Sequence, residues 1–185
     1  MVGLGNPGAD YERTRHNSGA DTVSLLAGRH DGSLRRDKVR AVAGSVRMGA
    51  SHVLLAVPLT YYNDSGQAVG ALARRHDLPA ERVVIVHDEL DLPPGRIKVK
   101  LGGGLAGNNG LRSIKAHLGT DAFARVRIGV GKPPGRQEGA DHVLRRPGKA
   151  ERTELDIAIQ DAADAVEMIV ADGIEAAMTT FNARE

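Results

Sequence analysis

The chain has no cysteine and no tryptophan among its 185 residues, and two Phe and three Tyr bring its aromatic content to only 3%. Without cysteine there is no disulfide framework, no thiolate metal site and no cysteine nucleophile. So few rings argue against a single-strand binder that stacks many bases on aromatic platforms. No apolar run approaches the roughly 18 residues of a membrane span, and the opening Met-Val-Gly-Leu-Gly-Asn-Pro has neither a basic n-region nor an apolar h-region. These absences point to a soluble, cytoplasmic protein.

A hydrophobic content of 41% and a charged content of 26% suit one globular domain over residues 1–185. The net charge of +2 hides an uneven distribution: residues 151–185 hold two basic and nine acidic residues, so residues 1–150 carry +9. A basic body favours a polyanionic partner, gripped mainly by its phosphates.

Short Val-rich runs at His52–Val57 and Arg82–His87 read as buried strands. Val39–Met48 and Ile97–Lys100 alternate like strands with one wet face, and Arg125–Val130 is a further strand candidate. Helical spacing recurs at Ser18–His30, which opens on Ser-x-x-Asp, at Ser65–His76 and at Asn109–Leu118. The C-terminal segment 151–185 is helical: Leu155, Ile159, Ala162, Ala163, Val166, Ile169 and Val170 form one stripe, which Gly173 breaks. Strands alternating with helices predict an α/β layer fold with the Val-rich strands central. Residues 132–149, rich in Pro and Gly, read as a long surface loop, either a lid or a plain connector.

The candidate chemistry sits in the loops. Gly3-Leu-Gly-Asn-Pro-Gly8 spells G-x-G-x-x-G, yet the residues that follow lack the apolar stripe of a dinucleotide-binding helix, so Pro7-Gly8 more plausibly shapes a turn presenting Asn6. Thr14-Arg-His-Asn17 supplies His16, and His87-Asp-Glu-Leu-Asp91 supplies His87, Asp88, Glu89 and Asp91. An imidazole held by a carboxylate is the usual general base, and His16 with a downstream Asp makes such a pair. The His-Asp-Glu-x-Asp run is an alternative metal site, but no His-Glu-x-x-His accompanies it. The glycine-rich Leu101–Leu111 stretch offers backbone N–H groups and the Asn108 and Asn109 amides at a helix start, with Lys98, Lys100, Arg125 and Arg127 as a positive rim suited to phosphate. No serine stands in a nucleophile motif, so a hydrolase here would use activated water, with Asn6, Asn63 and Asn109 to orient a carbonyl.

Taken together, GLGNPG at 3–8, TRHN at 14–17, PLTYYNDSG at 58–66, HDELDLPPG at 87–95, GGGLAGNNGL at 102–111 and RVRIGVGKPPG at 125–135 resemble the bacterial peptidyl-tRNA hydrolase family over nearly the whole chain. The resemblance implies a monomer built on a twisted mixed β-sheet flanked by helices. It implies hydrolysis of the ester joining a peptide to the 3′ ribose of tRNA, with no metal and no organic cofactor. On that resemblance His16 is the base and Asp88 its orienting carboxylate. Asn6, Asn63, Tyr62 and Asn109 fall on substrate-positioning sites, Tyr11 near the tRNA 3′ end, and Lys100 with Arg127 on a clamp for the 5′ phosphate. The resemblance also makes the 132–149 loop a mobile segment near the site mouth. Three departures stand out: only Met1-Val2 precede the first Gly-Leu-Gly, Tyr62 stands where the family usually has Met, and Asn108 stands where His is common. A non-catalytic RNA-binding relative and a nicotinamide oxidoreductase are the competing functions.

Overall fold

A computed structural model of the chain describes residues 1–133, 135 and 138–183. Among the described residues seven strands form one mixed sheet: β1 (Val2–Gly3), β2 (Arg35–Asp37), β3 (Ala41–Met48), β4 (Ser51–Pro58), β5 (Val84–Glu89), β6 (Ile97–Leu101) and β7 (Ala124–Gly129), in the order β2-β3-β4-β1-β5-β7-β6. The inner four, β4, β1, β5 and β7, run parallel, while β2, β3 and β6 pair antiparallel at the two edges. The Val-rich runs are therefore inner strands and the alternating ones lie outside them, as their patterning requires. The edge strand β2, Arg35-Arg-Asp37, has no apolar alternation to announce it. Its exposed arginines instead suit an open sheet edge, where charge discourages pairing with another chain.

The α-helices of the described residues flank the sheet: α1 (Ser18–Arg29), α2 (Ser65–Arg75), α3 (Asn109–Leu118), α4 (Gly139–Val143), α5 (Lys149–Asp172) and α6 (Ile174–Asn182). Val23 and Leu26 of α1, the Leu155–Val166 stripe of α5 and Phe181 of α6 pack with Val86, Val99, Val126 and Ile128 on one face. Val69 and Leu72 of α2 and Leu111 and Ile114 of α3 pack with Val2, Ile85 and Phe123 on the other. Gly173, at φ +92°, separates α5 from α6 at the predicted break. Among the described residues no helix is long and apolar enough to cross a membrane.

Two local expectations change. Segment 132–149 is not wholly loop, because Gly139–Val143 forms α4 and buries Val143; Pro134, Arg136 and Gln137 lie outside the described residues. At α1 no Ser-x-x-Asp cap forms: Asn17 occupies the cap position without capping, and the buried Ser18 hydroxyl has no hydrogen-bond partner. The Asn17 amide is used elsewhere, accepting from the Asn6 N–H at 2.8 Å and donating to the Asn6 carbonyl at 2.9 Å.

Candidate active site

The carboxyl ends of parallel β1, β4 and β5 open onto one cleft of about 730 Å³, which is where open α/β sheets place their sites. The loop after β1 brings Asn6, the turn after β4 brings Tyr61, Tyr62 and Asn63, and β5 itself ends on Asp88 and Glu89. Residues 106–109 and the segment carrying α4 form the other walls.

The glycines of the first loop are there for close approach. A Cβ on Gly3 would lie 2.0 Å from the Gly19 carbonyl oxygen, and one on Gly19 would lie 2.2 Å from that of Val86. Only glycine lets α1 press this tightly on the sheet, and the Asn6 N–H is already spent on Asn17. The G-x-G-x-x-G string is thus a packing and turn device, which removes the basis for a dinucleotide phosphate cradle.

His16 sits in a 3-10 turn, Arg15–Asn17, with its side chain 16% exposed at the cleft. Its Nδ1 lies 2.9 Å from both Asp88 oxygens, so the ring donates there and leaves Nε2 as the edge available to the cleft. Burial pushes the Asp88 carboxyl up, but the charge of His16, its hydrogen bond, His87 and the Tyr62 hydroxyl together hold it below its usual value of 3.8. Asp88 therefore stays ionised beside the imidazole.

The turn is braced from below. Arg15 is buried and bonds Glu151 of α5 through Nε at 2.5 Å and Nη2 at 2.6 Å. Its Nη1 donates at 3.0 Å to the carbonyls of His142 and Arg145. One side chain thus ties the His16 turn to the α4 segment and to α5.

Asn6 accepts the Tyr62 N–H on Oδ1 at 2.7 Å, which fixes the amide orientation and leaves Nδ2 as the donor for the cleft. Asn63 and Asn109 are exposed on the cleft wall, the latter accepting a long bond from Arg112 at 3.3 Å. Tyr62 is buried rather than open to substrate: its ring stacks on His16, with centroids 3.5 Å apart and planes at 11°, and its hydroxyl donates to Asp88 Oδ1 at 2.9 Å. Tyr11, in the turn Ala9–Tyr11, does not line the cleft.

Alternation along β5 separates the other polar groups. His87 and Glu89 alternate with Asp88 along the strand, in register with Arg127 and Gly129, and Glu89, at the strand's end, still reaches the cleft wall. Burial lowers the basicity of His87, whose Nδ1 donates to the Asp88 carbonyl at 2.7 Å. Among the described residues no group of three or more His, Asp or Glu has the geometry to hold a metal ion.

The positive rim also resolves into distinct roles. Arg125 is buried, and its guanidinium is wrapped by the carbonyls of Gly102, Gly103 and Gly104. The glycine loop thus turns its carbonyls on an internal cation, a use of the loop that glycine count alone does not distinguish from an N–H cradle. Arg127 is held by Glu89, with Nε and Nη2 each 3.1 Å from Oε2. Lys98 and Lys100 remain part-exposed on β6, opposite Arg127 and Arg125 respectively. Neither Lys100 nor Arg127 lines the cleft.

The model of the family described as peptidyl-tRNA hydrolase matches residues 1–185. The chain belongs to that family. It is 48% identical over 190 residues to the peptidyl-tRNA hydrolase of Kineococcus radiotolerans, covering 99% of this chain and 96% of that one. With the peptidyl-tRNA hydrolase of Mycolicibacterium smegmatis it shares 47% over 184 residues, again covering 99% and 96%. Among solved structures, the peptidyl-tRNA hydrolase of Acinetobacter baumannii superposes with a TM-score of 0.93 at 39% identity, covering all of this chain and 94% of that one. The family membership expected from the six strings and the mixed sheet flanked by helices both stand.

Proposed function

We propose that the cleft hydrolyses the ester between a peptide and the 3′ ribose of tRNA, with His16 Nε2 taking a proton from the attacking water. The observation that carries this is the Asp88–His16 pair at the cleft, its Nδ1–H committed to the carboxylate and its other edge free. Asp88 selects the tautomer and stabilises the imidazolium that forms. Base assistance of this kind supplies roughly 100- to 10,000-fold. The Asn6 Nδ2 donor and the Asn63 and Asn109 amides supply hydrogen bonds to the developing oxyanion and to the peptide, so no covalent intermediate is required. Amides that pair with peptide N–H and C=O groups reject a free aminoacyl ester, whose α-ammonium leaves them unpaired.

Lys100 and Arg127 take the tRNA 5′ phosphate, Arg127 exchanging part of its Glu89 contact for phosphate oxygen. Tyr11 lies outside the cleft, on the path of the acceptor end. Catalysis by a single copy in the cytoplasm, where the substrate arises during translation, needs no second chain at the cleft.

Release of N-acetyl amino acid from an N-acetyl-aminoacyl-tRNA, with unblocked aminoacyl-tRNA in parallel and EDTA present, tests this function. Selective, EDTA-resistant cleavage that disappears in His16→Ala while tRNA binding persists is the expected result. Cleavage retained in His16→Ala overturns the assigned base. A folded wild-type protein that binds tRNA without cleaving it would be the non-catalytic relative.

A further inference from the structure

Tyr62 makes two contacts with the hydrolytic pair that the proposed water activation does not itself use. Its ring lies nearly parallel to the His16 imidazole at 3.5 Å, and its hydroxyl is 2.9 Å from Asp88 Oδ1. The direction of that hydrogen bond is fixed by a chain of donors. Asn108 Oδ1 accepts the Leu111 N–H at 3.0 Å where it caps α3, so its Nδ2 faces Tyr62 as a donor, 3.1 Å from the hydroxyl oxygen. That oxygen is thereby an acceptor toward Asn108, and its single proton goes to Asp88. The ring is seated by Gly110: a Cβ there would fall 2.6 Å from Tyr62 Cε1.

We propose that Tyr62 is a positioning residue for the base, its ring fixing the plane of the His16 imidazole and its hydroxyl, aimed by Asn108, drawing charge from Asp88. This rests on the assignment of His16 as the base. Burial and the Asp88 charge push the phenol well above its usual value of 10.0, so the hydroxyl remains a donor at every working pH. A carboxylate that shares its charge with a phenol stabilises the neighbouring imidazolium less, so losing the phenol strengthens that stabilisation. The other ionisable groups near the pair are engaged: Glu89 with Arg127, Arg15 with Glu151, Asp91 with Lys132, and the buried His87, its basicity lowered, through Nδ1 with the Asp88 carbonyl. A change at Tyr62 therefore reaches His16 chiefly through Asp88 and the stack.

The deciding variant is Tyr62→Phe, which keeps the ring and removes the hydroxyl. The rising limb of kcat against pH moves to higher pH by about half a unit to one unit, costing roughly three- to ten-fold in kcat below the limb with KM unchanged. The His16 imidazole, titrated by NMR without substrate, shifts its midpoint in the same direction. Tyr62→Leu, which removes the stack as well, loses about 100-fold in kcat. If Tyr62 merely fills space, Tyr62→Phe keeps the wild-type pH profile and the wild-type His16 midpoint, and that result, or a shift to lower pH, overturns the proposal. A wild-type protein that fails to cleave the blocked ester refutes the hydrolase function instead. In that event the imidazole titration still decides whether Tyr62 tunes His16.

Discussion

Replacing Asp88 with Asn poses a sharper question than removing charge, because the surrounding donors dictate how the new amide must sit. The Tyr62 hydroxyl, its direction set by Asn108, needs an acceptor and is buried, so it claims the Asn oxygen at the position of Oδ1. The NH₂ then occupies the Oδ2 position, 2.9 Å from His16 Nδ1. Nδ1 also lies 2.9 Å from the Oδ1 position, but that oxygen already takes the phenol proton, so an Nδ1–H would share its acceptor and face the NH₂, whereas an unprotonated Nδ1 accepts from the NH₂; the tautomer with the proton on Nε2 is favoured. The cleft-facing edge becomes a donor and the base is lost along with the stabilising charge. A kcat decrease of about 1,000-fold follows, within the range attributed to general bases. The informative measurement is the double variant Asp88→Asn with Tyr62→Phe. Without the phenol proton the amide is free to turn its oxygen to Nδ1, which restores the productive tautomer though not the charge. Single-turnover hydrolysis of N-acetyl-aminoacyl-tRNA should then recover about ten-fold relative to Asp88→Asn alone, against the further loss that two independent defects would produce. A double variant no faster than Asp88→Asn refutes the donor chain through Asn108 and Tyr62.

Arg15→Ala should destabilise the protein by about 2–4 kcal/mol, since four hydrogen bonds are lost and two carbonyls and a part-exposed Glu151 are left without their partner; thermal denaturation should show a fall of about 5–10 °C. Arg15→Lys should recover little of this, because an ammonium cannot reproduce the fork; full recovery would show that only the charge matters. Lys100→Ala should weaken tRNA binding and flatten the slope of log K against log salt by about one, leaving hydrolysis of a short esterified nucleotide unchanged; equal loss on both substrates refutes the clamp. His87 is buried with its basicity lowered from the usual 6.5, so the unfolded chain binds a proton that the folded one refuses. Its contribution is thus a loss of stability as pH falls below about 6.5 toward the lower folded value, and His87→Asn should flatten the wild-type dependence of melting temperature on pH across that window.

How much of this was legible in the sequence depends on whether a residue's role is set by its neighbours along the chain or by its neighbours across the fold. The strands and helices that carry strong periodicity, β4, β5, α2 and α5, lie within a residue or two of where their patterns put them. His16 with a downstream Asp could be nominated from residue chemistry, and the family resemblance singled out Asp88; in the fold the parallel sheet brings the loop after β1 to the end of β5, where Asp88 stands. That pair apart, what escaped were the roles that depend on a partner distant in sequence. Arg15 carries no signal of its own and Arg125 reads as part of the positive rim, since nothing local distinguishes either from Lys98. Only the fold shows that one is enclosed by Glu151 and two carbonyls, and the other by three glycine carbonyls. Ser18 reads as the cap of α1, but Asn17 takes that position and its amide pins Asn6, leaving α1 uncapped while a cleft amide is held still. Tyr62 and Asn108 show the same rule at the centre of the site. As single substitutions against the family pattern they look like separate departures, yet in the fold Asn108 Nδ2 points at the Tyr62 hydroxyl and that hydroxyl points at Asp88. Two positions 46 residues apart form one hydrogen-bonded unit, so their consequences for the base have to be measured together.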